Sequence, residues 1–198
     1  MIIGLTGPNC SGKDTIAEYI SKKYDYKHFS LSDIIREMMK EKGIEPAREN
    51  LIIFGTKLRE KNGNDVLAKK VLEKTDLDGK YCITSIRHPD EVNGLRKRKD
   101  FVLVNIDASQ DVRFERMQKR ERRGDPSTLE RFIYLESQEY QTEGSGQQLR
   151  RTAKMADITF TNDSDDITTL EVTIEDLLKG IGKMDEMWGR QLGSSKSS

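Results

Sequence analysis

The chain has 198 residues, and its 34 lysines and arginines are balanced by 34 aspartates and glutamates. This balance excludes the overall field that would attract nucleic acid or an anionic membrane, and no apolar run reaches the roughly 18 residues of a membrane span. The two cysteines, Cys10 and Cys82, fit no disulfide framework and no metal-binding spacing. We therefore expect one main domain of a cytoplasmic protein, a monomer or homodimer whose partners are small molecules.

Strands and helices are predicted to alternate along the chain. The apolar run at residues 2–5 is typical of a strand buried on both faces, and a helix is predicted from about residue 12 to 23. Further strands are predicted at 26–31, 80–86, 101–106 and 156–161, and further helices are predicted after a cap at Ser32 or Asp33, at 48–61, at 66–74, after residue 106, after a cap at Ser127, and at 172–178. This order predicts an α/β fold with a central parallel sheet.

A glycine-rich loop joins the first strand to the first helix. Gly7, Gly12 and Lys13 give the pattern G-x-x-x-x-G-K, and this position in the chain distinguishes the motif from an ordinary glycine turn. Loop amides and the helix N-terminus bind phosphate, and the lysine adds a positive charge. The sequence therefore predicts a nucleotide site, formed by Gly7, Asn9, Cys10, Ser11, Gly12, Lys13, Asp14 and Thr15.

The stretch GPNCSGKDT resembles the phosphate loop of nucleoside monophosphate kinases, and its GKDT end is similar to that of phage-type deoxynucleoside monophosphate kinases. The resemblance implies ATP and Mg²⁺ as cofactors, with Thr15 contacting a phosphate or a metal-bound water. Asp14 stands where the simple motif has the serine or threonine that binds Mg²⁺. Cys10 replaces a frequent glycine, and we interpret it as loop packing because no histidine accompanies it.

The same resemblance implies a three-layer P-loop NTPase fold with two additions to the sheet and its helices. One is a helical acceptor-binding insert at about residues 33–75, and the other is an arginine-rich lid at about residues 113–145. The kinase domain is then expected to cover residues 1–183, followed by a C-terminal tail at 184–198.

An acceptor site is predicted from the stretch HFSLSDIIR, which resembles the adenylate kinase segment that follows the first helix. The resemblance implies that Arg36 binds the acceptor's phosphate and that Asp33 holds Mg²⁺ through water. The alternative is that Asp33 caps the helix while Arg36 is solvated. Arg59 is either a second acceptor ligand or a surface charge.

The stretch TSIRHPDE resembles the strand-end region of adenylate kinases and of the phage-type enzymes. Ligands of open α/β sheets bind at such carboxyl ends, and the resemblance implies that Arg87 bridges the transferring phosphate and the acceptor. The family's aspartate is absent, because Thr84 or Ser85 occupies its place. We interpret His88 as a turn residue.

Arginines crowd one stretch farther along the chain. By their i, i+3 and i+4 spacing, Arg113, Arg116, Arg120 and Arg123 share one helical face. The kinase resemblance implies a lid that brings Arg120 and Arg123 over the transferring phosphate, whereas the alternative is a solvated helix. Residues 156–163 resemble the end of dephospho-CoA kinases, which implies that Asn162 lies near adenine; an ordinary turn is the alternative.

Three functions are compatible with these features. The first is an ATP-dependent nucleoside or deoxynucleoside monophosphate kinase with Lys13, Arg87, Arg120 and Arg123 as catalytic residues, which needs no general base because its acceptor is already an anion. The second is dephospho-CoA kinase or another small-molecule kinase, with Asp33 as the base for a hydroxyl acceptor. The third is a nucleotide-binding sensor without turnover, which the missing aspartate favours.

Overall fold

A computed structural model describes residues 1–121, 125–140, 143–164 and 166–194, with the side chains of 167 and 183–194 left aside. The chain divides into two compact units, Met1–Asp163 and Ser164–Ser198. The second unit consists of one described helix. The division predicted from the sequence, at residues 183 and 184, stays a prediction.

The first unit is built on five strands, β1 (Ile2–Thr6), β2 (Lys27–Ser30), β3 (Tyr81–Ile86), β4 (Phe101–Asp107) and β5 (Ile158–Thr161). All of them pair in parallel, in the order β2-β3-β1-β4-β5. The predicted α/β fold with a parallel sheet is confirmed. Because the strands are parallel, their carboxyl ends lie along one edge of the sheet, where the glycine-rich loop also begins.

Eight helices of the described residues belong to the first unit and one to the second. They are α1 (Lys13–Tyr24), α2 (Leu31–Glu41), α3 (Arg48–Asn62), α4 (Val66–Leu72), α5 (Pro89–Leu95), α6 (Gln110–Arg120), α7 (Leu129–Gln138), α8 (Leu149–Ala153) and, in the second unit, α9 (Ile167–Ser194). Helices α5 and α8 were not predicted, because two turns or fewer cannot display a 3.6-residue periodicity. Helix α9 continues well beyond the predicted 172–178, since isolated glycines such as Gly180 weaken a helix without ending it.

Two of the predicted helix caps are wrong by one to three positions. The cap of α2 is Ser30, so Ser32 and Asp33 lie in its first turn. The cap of α7 is Thr128, whose hydroxyl accepts a hydrogen bond from the Arg131 amide at 3.2 Å. Neighbouring Ser and Thr residues have similar capping preferences, so their order in the sequence alone does not select one.

The core lies on both faces of the sheet. All residues of β1 are buried although successive side chains face opposite sides, so both faces are covered. One cluster of the described residues joins Ile2, Tyr81 and Ile83 to apolar side chains of α2, α4 and α5. Within the described part of the chain, no helix is long and apolar enough to cross a membrane.

Candidate active site

The glycine-rich loop lies directly against β4. Gly7 has φ 130° and Gly12 has φ 96°, backbone conformations that side chains rarely adopt. A Cβ on Gly7 would lie 2.0 Å from the carbonyl oxygen of Ile106, which belongs to the sheet and cannot move aside. The glycine of the motif is therefore required by contact with the sheet as well as by its dihedral angle.

Lys13 is buried inside this loop. Its Nζ donates hydrogen bonds to the Pro8 carbonyl oxygen and, at 3.2 Å, to Ser11 Oγ. Burial and, after it, the nearby charge of Arg87 together lower the pKa of Lys13 to about 7, against opposing contributions from Asp14 and Glu139. A phosphate in the loop would restore the ordinary charge of this lysine.

Asn162 supports the loop from the end of β5. Its Nδ2 donates to the carbonyl oxygen of Ser11 at 2.9 Å, and its own carbonyl accepts from Arg116 Nη1 at 2.8 Å. A Cβ on Gly12 would lie 2.3 Å from that Nδ2. The structure thus places the buried amide of Asn162 against the phosphate loop, and its contact with adenine stays a prediction.

A β-bulge marks the carboxyl end of β3. Gly4 pairs with Ile83 while Thr6 pairs with Ile86, so β3 has one residue more than β1 across this step. Ser85 has φ 63°, a left-handed conformation that is costly outside glycine and is often found at functional sites. Its position is one of the two that replace the family's aspartate.

The bulge aims Ser85 at a group of hydroxyls at the end of β2. Its Oγ lies 3.1 Å from Ser30 Oγ and 3.3 Å from Ser32 Oγ. Arg36 Nη1 donates to Ser32 Oγ at 2.8 Å and to Asp33 Oδ1 at 2.6 Å. Asp33 is 61% exposed, so this pair lies at the mouth of the site and is open to solvent. The roles predicted for Asp33 and Arg36 stay predictions.

Arg87 follows β3 and is held by both its backbone and its side chain. Its amide donates to Glu91 Oε2 at 2.8 Å, and its carbonyl accepts from the Gln148 amide at 2.9 Å. Its Nη1 donates to Gln147 Oε1 at 2.9 Å and lies 2.8 Å from Glu139 Oε2. His88, interpreted from the sequence as a turn residue, is the N-cap of α5, where Nδ1 accepts from the Asp90 amide.

Arg48 and Glu139 are site residues that sequence reasoning missed. Arg48 Nε and Nη2 donate to Glu139 Oε1 at 3.2 and 3.1 Å. Burial raises the pKa of Glu139, but the charges of Arg87 and Arg48 outweigh it and hold the pKa below its usual range. Because 91 residues separate the partners, no local pattern could have indicated the pair.

Arg59 is linked to Arg87 through the buried carboxylate of Glu91. It is 2% exposed and donates from Nε and Nη2 to Glu91 Oε1 at 3.0 and 2.8 Å. The surface-charge alternative is therefore wrong. The guanidinium donates to a fully buried carboxylate that also binds the Arg87 amide, and the role of Arg59 as an acceptor ligand stays a prediction.

The arginines predicted for the lid separate into different environments. Arg113 is buried in an ion pair with Glu136, and Arg120 makes a bidentate pair with Asp125 at 2.8 and 2.9 Å. Arg123 lies outside the described residues. The prediction that these arginines form a single basic face is therefore wrong for Arg113, because its charge is neutralised by Glu136 in the interior.

Arg120 nevertheless contributes positive charge at the phosphate loop. Burial raises the pKa of the Cys10 thiol, while the charges of Arg120, Lys13 and Arg48 act to lower it. Positive charge from three basic side chains therefore acts on this part of the loop. A raised pKa also leaves little thiolate, in agreement with Cys10 as a packing residue.

Comparison with known proteins identifies the family. The family model of the AAA domain matches residues 6–133. UPF0200 protein MJ1399 from Methanocaldococcus jannaschii is 32% identical over 190 residues, which cover 92% of this chain and 93% of that protein. The chain belongs to the UPF0200 family and carries an AAA domain.

Solved structures that resemble this UPF0200 chain include kinases. Shikimate kinase from Bacteroides thetaiotaomicron aligns with a TM-score of 0.62 at 15% identity, covering 92% of this chain and 98% of that one. A gluconokinase from Sinorhizobium meliloti 1021 aligns with a TM-score of 0.52 at 15% identity, covering 96% and 95%. At such identities the likeness shows the fold alone, which for this UPF0200 chain is that of the P-loop kinases.

Phosphate loops of this kind typically bind ATP together with Mg²⁺. No group of three or more candidate ligands that could hold a metal exists among the described residues. Kinase Mg²⁺ sites commonly use one or two protein oxygens, with phosphates and waters completing the shell. Asp14, Thr15 and Asp33 are exposed oxygen donors that suit this mode, and their role as metal ligands stays a prediction.

Proposed function

We propose that this chain is an ATP-dependent phosphotransferase whose acceptor is a small molecule that bears a phosphate group, with nucleoside and deoxynucleoside monophosphates as the first candidates. One observation carries the proposal. Lys13 lies in the phosphate loop that follows β1 and Arg87 directly follows β3, and the ends of these paired strands are joined by a hydrogen bond of 2.7 Å from Thr6 Oγ1 to the Ile86 carbonyl oxygen. The charge of Arg87 contributes to the lowered pKa of Lys13. Two basic groups that repel each other at such a position are stabilised together by an anion between them.

The chemistry needs little beyond positioning and charge. An oxygen of the acceptor's phosphate attacks the γ-phosphorus of ATP, the bond to the bridging oxygen breaks, and ADP leaves. Lys13 and Arg87 stabilise charge on the transferring group, and loop amides bind the remaining phosphates. Mg²⁺ would neutralise further charge on the same oxygens. No general base is required, because the attacking oxygen carries no proton.

A hydroxyl acceptor is the second candidate. Asp33 is 61% exposed at the end of β2, where its carboxylate could accept the proton of an attacking hydroxyl. Structures with this fold include enzymes named shikimate kinase and gluconokinase. This candidate ranks second because Asp33 is already paired with Arg36 at 2.6 Å.

A panel of acceptors tests the proposal. ATP·Mg²⁺ is mixed with ribo- and deoxyribonucleoside monophosphates in one series, and with dephospho-CoA, shikimate and gluconate in another, while ADP release and the phosphorylated product are measured. We expect product from a monophosphate, and a loss of about 100-fold or more in kcat for Lys13→Met. Product from hydroxyl acceptors alone would select the second candidate, and ATP binding without any product would favour a nucleotide sensor.

A further inference from the structure

Two arginines from distant parts of the chain converge on one carboxylate. Arg48, at the start of α3, donates from Nε and Nη2 to Glu139 Oε1 at 3.2 and 3.1 Å. Arg87 Nη1 lies 2.8 Å from Glu139 Oε2, in an ion pair whose angles do not make a hydrogen bond. The carboxylate therefore pairs with two guanidinium groups, and two buried atoms of the cluster, Arg48 Nη1 and Glu139 Oε2, have no hydrogen-bond partner among the described residues.

Because this cluster is buried, its unpaired donor and its excess positive charge are energetically unfavourable. Arg48 is 9% exposed and Glu139 is 1% exposed. Nη1 of Arg48 is buried and has no hydrogen-bond partner among the described residues. Buried donors are nearly always paired, and an unpaired charged donor costs more than a neutral one. Two positive charges around one negative charge also leave an excess of one.

The cluster lies beside the phosphate loop. Thr6, which precedes Gly7 of the loop, donates from Oγ1 to the Ile86 carbonyl oxygen at 2.7 Å, and Arg87 follows Ile86 directly. The ion pair of Arg87 with Glu139 therefore lies at the strand end next to the loop, and both charges act on Lys13.

We propose that the phosphate group of the acceptor binds between Arg48 and Arg87 and competes with Glu139 for both guanidinium groups. A phosphate monoester offers three oxygens and up to two charges, where Glu139 offers two oxygens and one charge. It can therefore accept from Nη1 of Arg48 as well as from Arg87, and planar guanidinium groups suit such bidentate contacts. This inference rests on the proposed function and names Arg48 as its acceptor-binding residue.

The proposal differs from the site predicted around Arg36. Arg36 is about one-third exposed and already bound by Ser32 and Asp33. Arg48 is more buried than Arg36, and its partner Glu139 also forms an ion pair with Arg87. The attraction between a phosphate and a buried guanidinium group is screened less by water than at a solvated one.

Binding of orthophosphate to the protein saturated with ADP tests the proposal without turnover. Calorimetry compares the wild type with Arg48→Met and Glu139→Gln. The matched control is Arg131→Met, which breaks an arginine–glutamate pair with Glu49 in the same two regions of the chain but at the surface.

The two variants are expected to change affinity in opposite directions. Arg48→Met should weaken phosphate binding about 10- to 100-fold, which corresponds to the loss of one charge-assisted hydrogen bond. Glu139→Gln should tighten it about tenfold, because the competing charge is gone. Arg131→Met should match the wild type. Equal affinity of Arg48→Met and the control, or no tightening in Glu139→Gln, would overturn the proposal.

A measurement on the wild type covers the case in which a variant fails to fold. The Nε–Hε NMR signals of Arg48 and Arg87, assigned with Arg→Lys variants, should move together as orthophosphate is added. Signals that stay still at saturating phosphate would refute the proposal. The acceptor panel tests the kinase function, and the phosphate titration tests the subsite at Arg48. Failure of one proposal can therefore be distinguished from failure of the other.

Discussion

A single lysine of the candidate site, Lys13, has a strongly lowered pKa. Lys13 is enclosed by the loop that it belongs to, and burial together with Arg87 lowers its pKa to about 7. A lysine with this pKa is partly neutral at physiological pH. An anion at the loop favours the charged form, so binding a triphosphate raises the pKa of Lys13.

Binding of ATP is therefore expected to take up protons. Above pH 7 the free lysine has lost much of its charge, and the triphosphate restores it, so uptake from this group should approach about one proton near pH 8 and vanish near pH 6. Calorimetry in two buffers with different ionisation enthalpies measures this number. Lys13→Arg stays charged and should retain only the triphosphate's own contribution. Equal uptake by both proteins would contradict the lowered pKa.

Single residues also show where sequence reasoning stops. The loop motif identified Lys13 and its glycines because the chemistry of phosphate binding is local in sequence. Arg48 and Glu139 meet across 91 residues, and each is an ordinary helix-end residue by itself. Only the packing of the helices brings the two together, so their pairing could not be predicted.

At the scale of elements, α3 is tied to Arg87 through two buried carboxylates. Arg48 at its start binds Glu139, which also contacts the side chain of Arg87. Arg59 near its end binds Glu91, which accepts from the backbone amides of Arg87 and His88. The helix that the sequence assigned to the acceptor insert thus fixes the strand-end arginine from two sides.

Removing the charge of Glu91, the second of these carboxylates, should strongly lower the free energy of unfolding. Glu91→Gln keeps one oxygen for the amides but leaves the Arg59 guanidinium buried and uncompensated, which costs about 3–5 kcal/mol. Urea unfolding measures the change in the free energy of unfolding. Asp65→Asn, which breaks a solvent-exposed pair with Lys69, is the control and should cost about 0.5 kcal/mol or less.

A second substitution separates charge from packing in this pair. Adding Arg59→Met to Glu91→Gln removes the uncompensated charge, so the double variant should recover part of the lost stability. If Glu91→Gln alone unfolds at the same urea concentration as Asp65→Asn, the pair does not hold α3 as described.

At the scale of the whole molecule, the alternation of apolar runs with helical patterns was sufficient to predict the parallel sheet. Each of the five strands was predicted within two residues of its observed limits. The short helices α5 and α8 were not predicted. The start of α8 depends on a tertiary contact, because the amide of its N-cap Gln148 donates to the Arg87 carbonyl, whereas α5 begins at a local cap by His88.

Ligand binding should be visible in the stability of the whole chain. At 100 times its dissociation constant, ATP adds about 2.7 kcal/mol to the stability of the folded state, which for a chain of this size raises Tm by roughly 5–10 °C. Thermal unfolding with ATP, adenosine and no addition measures this shift. Adenosine lacks the phosphates and should have little effect, and Lys13→Met should lose most of the ATP shift; an equal shift in that variant would show binding away from the loop.

The extra residue in β3 decides which way the end of that strand faces. Tyr81, Ile83 and Ile86 all reach the same apolar cluster, although strict alternation would send Ile86 to the opposite side. The bulge at Ser85 reverses the odd–even order just before the strand ends, which keeps the isoleucine inside and turns the next side chain, Arg87, toward the loop. Deleting one residue at the bulge would exchange the directions of Ile86 and Arg87. The Arg87 guanidinium would then face the core, and the Ile86 side chain would face the loop.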